Sequence, residues 1–425
     1  MSKSSRRAFL KHSAIVAGAP MIIPGSALGL NGKVAPSNRI VLGGIGIGGR
    51  GRKVLNAFLK QPDCQFIATA DPQKERRERL VRLARHYDNM ECEPYDNMHD
   101  VLNRKDIDAV IIATGDRWHT TASIYAARAG KDIYCEKPCS MNMQECRELD
   151  EEVLKNKTVF QAGTQRRSVS NFKLAKDLVN KGRVGKLTKV HAGILKMREY
   201  LEPLPAEPEP DPAVINWDRW VGPAPMIPFN IEYCKGSWRN HKGLYAAWRL
   251  PEWGAHTIDL CQWAADADGT APVEYEAEGT TIRAKYANGV ELVMRLAGFK
   301  GEGDWIEGIG SCPVRYEGDE GWVEAGDFER VEVSDPKILE GECFEPEAGI
   351  DPIHHVRNFL DCVKNREKPV CNSSVARSSH IACFAAAISW KLGRKLKFDP
   401  VTETFPDDEE ANELLGYKRR KPYVI

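Results

Sequence analysis

Along residues 39–71 the pattern of apolar and polar positions changes character three times. Arg39 to Ile45 is a short apolar run of strand length, Val54 to Leu59 continues at helical spacing, and Cys64 to Ala70 is apolar again before Asp71. That order predicts strand, turn, helix and strand. The rhythm repeats downstream. Glu75 to His86 is charged and helix-favouring, Met98 to Leu102 starts a short helix, and Asp106 to Gly115 is an apolar strand of the parallel-sheet type. Thr121 to Ala129 predicts a helix closed by Gly130, Asp132 to Cys135 a strand, Met143 to Lys155 a helix, and Thr158 to Arg167 a last strand and loop. Alternating βα units over residues 36–164 predict an α/β domain with a Rossmann-like, doubly wound parallel sheet.

Beyond residue 164 the period changes. Asn171 to Asn180 reads as a helix and Leu187 to Lys196 as a strand. Glu202 to Pro212 is a loop, because its prolines lack the donors that helix or ladder needs. From Glu274 to Glu332 apolar residues alternate with polar ones, with turns at Ala287-Asn288-Gly289 and Glu317-Gly318-Asp319. Two helices follow, Ile353 to Asn365 and Ala376 to Leu392. Residues 165–400 therefore predict a second, α+β domain with an open, mainly antiparallel sheet, and 401–425 a charged tail.

The first turn carries the clearest chemistry. Gly46, Gly48 and Gly51 spell G-x-G-x-x-G, and Gly44, Gly46 and Gly49 fit the same pattern one step earlier. Glycines at these positions let the backbone, including Gly49 and Arg50, approach a pyrophosphate at a helix N-terminus. Asp71, about 20 residues on, can hydrogen-bond the hydroxyls of an adenosine ribose. An acid there repels a 2′-phosphate and favours NAD; Lys74 and Arg76 nearby leave NADP open.

Charge and cysteine usage narrow the partners. Lys+Arg and Asp+Glu both number 60, so the net charge is 0. The first 29 residues hold four cations and no acid, and without them the balance is 0 − 4 = −4. That gives no electrostatic case for nucleic acid. Twelve cysteines include no C-x-x-C pair, which argues against zinc and for buried thiols. Residues 1–29 pair Arg6 with Arg7 ahead of an apolar stretch, Ala14 to Ile23, too short for a stable membrane span. The pattern resembles a twin-arginine signal, which predicts export of a folded, periplasmic protein.

The glycine turn, "ATGDRWH" (Ala113 to His119), "EKP" (Glu136 to Pro138), "GTQRR" (Gly163 to Arg167), "WDRWVGPAP" (Trp217 to Pro225) and "WGAHTIDLCQWA" (Trp253 to Ala264) follow in that order. Together they resemble the Gfo/Idh/MocA oxidoreductases, the group of glucose–fructose oxidoreductase and inositol dehydrogenase. The resemblance implies a sugar, polyol or glycoside substrate, a tightly bound nicotinamide, and a homo-oligomer. It implies that Lys137 lies between nicotinamide and substrate and that Pro138 forms a constrained peptide, cis being one geometry for it. Exported relatives that keep their cofactor either couple two sugar conversions or oxidise a glycoside transiently, with net hydrolysis. A non-catalytic sugar- and cofactor-binding protein is the remaining reading.

For the chemistry, His256 and Asp259 are three apart on a predicted helix, with Trp263 a turn later. His256 is expected to take the hydroxyl proton, Lys137 to polarise or share it, and Asp259 to orient substrate or base. The resemblance implies an Asp with a His or Tyr four residues later; here Trp263 follows Asp259. Thr114, His119 and Glu136 are candidate cofactor contacts beside the strand ends. Arg166, Trp238, Arg239 and Trp263 are candidate substrate contacts, with core packing or surface pairing as the alternative for each. His354-His355 lacks the further ligands a metal needs and reads as structural.

Overall fold

Six parallel strands form the first sheet in the computed structural model, which describes residues 34–87, 91–244, 247–296 and 309–425. The leader expected over residues 1–29 lies outside the described residues. β1 (Ile40–Ile45), β2 (Cys64–Ala70), β3 (Glu93–Tyr95), β4 (Ala109–Ile112), β5 (Asp132–Cys135) and β6 (Phe160–Ala162) lie in the order β3-β2-β1-β4-β5-β6. The order reverses between β1 and β4, which opens a crevice at their carboxyl ends. All four residues of β4 are buried, as a continuous apolar strand requires between two helical layers. The crossovers are α1 (Gly49–Leu59), α2 (Lys74–His86), α3 (Met98–Leu102), α4 (Asp116–Arg128) and α5 (Met143–Asn156).

α4 starts five residues before the expected Thr121, so Arg117, Trp118 and His119 belong to its first turn and not to a loop. The helix is buried on nearly all sides, and its polar start hid that boundary. Gly115 stands at the N-cap, and Asp116 sits in the first turn, where the helix dipole favours an acid.

The second sheet has eight strands. After α6 (Ser170–Asn180) come β7 (Leu187–Ile194), α7 (Trp217–Val221), α8 (Ile231–Lys235) and α9 (Leu250–Ala264). β8 (Glu274–Glu278), β9 (Thr281–Lys285), β10 (Glu291–Leu296), β11 (Val314–Gly318), β12 (Trp322–Ala325) and β13 (Val331–Val333) follow. α10 (Ile353–Asn365), α11 (Ser373–Leu392) and β14 (Leu396–Lys397) complete the unit. The strand order is β13-β12-β11-β7-β10-β9-β8-β14. β7 and β10 pair in parallel; the other pairings of this sheet are antiparallel. Every second residue faces inward: Val190, Ala192, Leu292, Met294 and Tyr316 meet Leu250, Ile258 and Ile381 of α9 and α11 in one core. Each large apolar side chain buried there contributes roughly 1.5–3 kcal/mol.

Two later segments return to the first domain. α10 presses Val356, Phe359 and Val363 into the same core as Val54 and Phe58 of α1, with the Phe58 and Phe359 rings edge-on at 5.9 Å. Residues expected to be a charged tail form a strap. Tyr423 packs edge-on against Trp118 at 5.0 Å and donates its hydroxyl to Asp218, and Arg420 donates to the Gly222 carbonyl at 2.9 Å. All twelve cysteines are free thiols, and only Cys343 is exposed. No helix among the described residues is long and apolar enough to cross a membrane.

Candidate active site

At the carboxyl ends of β1, β4 and β5 the two domains enclose a cleft of about 790 Å³. Its first end is built by the glycine turn. Gly46 has φ +65°, and a Cβ there would meet Thr114 Cγ2 at 2.3 Å. A Cβ on Gly51 would meet Ala113 at 2.7 Å, so this glycine lets α1 lie close to β4. A Cβ on Gly48 would meet only the tip of Arg76, and one on Gly49 would meet nothing within 4 Å. The floor is therefore open above the N-terminus of α1, whose first N–H groups have no side-chain cap. That is an anion cradle of pyrophosphate type. Asp71 ends β2, is 4% exposed, and accepts from the Gln73 N–H at 2.9 Å through one oxygen. The other oxygen remains to accept from ribose hydroxyls. Burial pushes the carboxyl up to about 6, against the lowering pull of Arg76, the Gln73 bond and Arg77. The donor set fits a dinucleotide.

Arg50 bridges to the middle of the cleft, donating to Glu136 at 3.2 Å. The Lys137–Pro138 peptide is cis. His119 Nδ1 donates to the Pro138 carbonyl at 2.6 Å, and His380 Nε2 accepts from the Cys139 N–H at 3.1 Å. Two buried histidines thus hold the turn that presents Lys137. His119 also lines the cleft. Lys137 Nζ donates to the Glu252 carbonyl at 2.5 Å. Burial lowers its pKa from the ordinary lysine value, with Glu136 and Glu252 opposing.

His256 reaches the cleft from α9. Its Nε2 accepts from Arg166 Nη1 at 2.8 Å. Arg166 in turn grips Asp327 with Nε at 3.0 Å and Nη2 at 2.7 Å. Burial, then Arg166 and Lys137, hold His256 well below its ordinary pKa, so the ring is uncharged at neutral pH. Trp238 and Arg239 line the same end, with the guanidinium 4.3 Å above the indole.

Asp259 and Trp263 do not line this cleft. Asp259 is 1% exposed; it takes two bonds from Arg167, at 2.7 and 2.8 Å, and one from Ser379 at 2.6 Å. Trp263 packs on the second domain's core, 5.3 Å beneath both Arg167 and Lys176. The expectation that His256 and Asp259 face the same way is corrected by helix geometry. Three residues leave side chains about 60° apart, and on a helix buried all round that is enough to border different neighbours. Four residues leave only about 40°. Glu252, four before His256, does line the cleft, with its carboxylate held by Arg249 at 3.0 Å. An acid with a histidine four residues later is therefore present two helical turns earlier, as Glu252 and His256.

Other residues of the cleft carried weaker signals or none. Asp116 lies inside "ATGDRWH", and burial pushes its carboxyl up to about 7. Arg117 beside it donates to the Trp220 carbonyl at 2.7 Å and stacks 3.9 Å over that indole. Cys312 and Tyr423 reach the cleft from distant segments without any motif. His355 bonds Ser168 and the Ala162 carbonyl, away from the cleft. No group of three His, Cys, Asp or Glu among the described residues could hold a metal ion.

Comparison with known proteins covers both domains. Residues 40–164 match the NAD-binding Rossmann fold of the Gfo/Idh/MocA oxidoreductase family, and residues 173–315 and 342–425 match its C-terminal alpha/beta domain. An inositol 2-dehydrogenase of Salmonella typhimurium is 31% identical over 103 residues, 24% of this chain and 31% of its own. A 2,7-anhydro-N-acetylneuraminate hydratase of Mediterraneibacter gnavus is 26% identical over 148 residues, 35% of this chain and 37% of its own. The chain spans about a third of the length of these curated relatives. Among solved structures, levoglucosan dehydrogenase in complex with NADH and levoglucosan superposes with a TM-score of 0.62 at 17% identity, over 84% of this chain and 99% of that one. The aldose-aldose oxidoreductase of Caulobacter crescentus complexed with glycerol gives 0.60 at 16% identity, over 85% and 100%. At those identities the two structures show a shared fold. With both family domains matched in order over most of its length, the chain belongs to the Gfo/Idh/MocA oxidoreductase family.

Proposed function

We propose that the protein is an NAD-dependent oxidoreductase acting on a CH–OH group of a sugar, polyol or glycoside. One observation carries the reading: a single cleft joins the dinucleotide cradle to Lys137, Glu252 and His256. When bound, the nicotinamide would exchange a hydride with the substrate carbon. Gly46, Gly48, Gly49 and Gly51 admit the pyrophosphate, and Asp71 takes the adenosine ribose and repels a 2′-phosphate. Lys137 is the group placed to take the hydroxyl proton, with the His256 ring beside it in the same cleft. Burial brings the lysine toward the range where it can exchange one, and keeps the histidine neutral. Glu252 anchors Lys137 through its carbonyl. Arg166, Trp238 and Arg239 offer donors and an aromatic face to a sugar.

The hydratase relative favours a second use of the same cleft, in which transient oxidation, elimination and reduction leave no net redox change. Paired Arg6 and Arg7 ahead of an apolar stretch support export, and an exported enzyme has reason to retain its nicotinamide. Family resemblance supports a homo-oligomer, which light scattering on the purified protein would size.

The test is to add sugars, polyols and glycosides to the purified protein with NAD and follow nicotinamide absorbance near ~340 nm. Reduction by any of them supports turnover; bound NAD that no compound reduces leaves a sugar-binding protein. His256→Ala is expected to abolish turnover while NAD stays bound, and near-normal turnover would remove His256 from the chemistry.

A further inference from the structure

His256 does not stand alone in the cleft. Its Nε2 lone pair is occupied by Arg166 Nη1 at 2.8 Å, and an arginine N–H only donates, so this nitrogen must be the unprotonated one. The neutral ring then carries its proton on Nδ1, which has no protein partner. Arg166 is itself fixed: Asp327 takes its Nε and Nη2 as a two-point pair, and Ser311 donates to the same carboxylate. All three members are buried, with His256 4%, Arg166 6% and Asp327 5% exposed. Three separate segments meet here: the 3-10 turn Gln165–Ser168, helix α9 and the chain just after β12.

We propose that Arg166, anchored by Asp327, is the positioning residue that fixes His256 as its Nδ1–H tautomer and presents the ring uncharged to the substrate. The claim that this serves turnover rests on the function proposed above; the claim about the ring does not. Titratable and charged groups surround the ring on all sides. Lys137 comes from the turn after β5, Arg50 from α1, and His355 from α10. Cys312 and Asp327 flank Arg166, and Glu252 and Asp259 lie on the histidine's own helix. Glu136 pairs with Arg50 beside them, and the charges that act most strongly on the ring are the cations Arg166, Lys137 and Arg50. Asp327 is spent on Arg166. Removing the Arg166 charge removes the cation in direct contact, so protonation of His256 becomes easier and its titration moves to higher pH. With Nε2 taken by Arg166, the neutral ring offers the substrate its Nδ1–H, so His256 holds the hydroxyl oxygen while Lys137 takes the proton.

The experiment uses the full chain labelled with nitrogen-15 at histidine, the His256 signals being assigned by their loss in His256→Asn. In the wild type, Nε2 is expected to give the signal of an unprotonated ring nitrogen and to keep it below the pH at which exposed histidines titrate. In Arg166→Gln, the titration should move to higher pH, and turnover should fall on the order of 100-fold, as expected for a misplaced catalytic group. Arg166→Lys should restore the wild-type titration, and Asp327→Asn, which leaves the arginine cation but weakens its anchor, should not raise the titration while lowering turnover less than Arg166→Gln does. A protonated Nε2 in the wild type overturns the proposal. So does an unmoved titration in folded Arg166→Gln, or in Arg166→Met if the glutamine variant does not fold. Should no compound reduce bound NAD, the oxidoreductase reading fails while the nitrogen-15 titration still decides this one.

Discussion

Arg166 and Arg167 are neighbours in sequence, both are buried, and both bind a residue of α9, yet they build different things. Arg166 turns toward the cleft, where it holds His256 and Asp327. Arg167 turns into the second domain, where it holds Asp259 and Asp268 and covers Trp263. The first cluster leaves polar groups on a wall that a ligand can touch. In the second, all three bonds to the Asp259 carboxylate come from the protein, two from Arg167 and one from Ser379. Identical residue types at adjacent positions thus serve reactivity in one case and joining of segments in the other. What separates them is whether the partner helix presents its cleft-facing or its core-facing side.

The contrast can be broken by substitution. The largest effect is expected on the cleft side: Lys137→Met should lower turnover about 10²–10⁴-fold, the range of a lost acid or base, with the unfolding midpoint nearly unchanged. A variant with unaltered steady-state rates would remove Lys137 from the chemistry. On the core side, Asp259→Ala should cost about 3–5 kcal/mol of stability, because Arg167 loses its fully buried counter-charge and keeps only the half-exposed Asp268. Denaturant unfolding reads that loss. Turnover per folded molecule should stay within a few-fold, and a selective loss of kcat would return Asp259 to the active site.

A smaller effect belongs to Asp71. Its folded pKa, about 6, is raised above the ordinary 3.8, so its contribution to stability is fully present below ~3.8 and lost as pH rises through about 6. Asp71→Asn should therefore stabilise the cofactor-free protein at neutral pH by roughly 1–3 kcal/mol. It should also weaken NAD binding about 10- to 100-fold, the range of a charged hydrogen bond. In the wild type, NAD affinity should decline as pH falls through about 6, which calorimetry or fluorescence titration would follow. The smallest change is expected at Trp263→Phe. It should lose about 0.5–1 kcal/mol of cation–π contact with Arg167 and Lys176 and leave the KM for a sugar where it was. A raised KM would put Trp263 back on the substrate.

Much of this was legible in the chain as written. β2 (Cys64–Ala70), α3 (Met98–Leu102), β5 (Asp132–Cys135) and α10 (Ile353–Asn365) stand where apolar periodicity places them. Gly46, Gly48, Gly51 and Asp71 share one end of the cleft because a local turn needs only local sequence. Lys137 and His256 carry motifs and do line the same cleft. The start of α4 is not legible because its first residues, Asp116 to Thr121, are mostly polar yet buried. The same blindness set Asp259 and Trp263 in the active site: α9 is buried on nearly every side, so its pattern could not say which stripe faced the cleft. Glu252 was passed over for that reason, although its spacing to His256 was visible. Cys312 and Tyr423 could not be found, being brought to the cleft by segments far away in sequence.

The sequence by itself determined the two architectures and the cofactor cradle, because periodicity, glycine turns and strand-end acids act over a few neighbouring residues. Only the tertiary structure decided which arginine meets the histidine, which acid lies in the core, and that the last residues close over Trp118. Those choices depend on how a helix buried all round is rotated between two domains, and no local pattern encodes that angle.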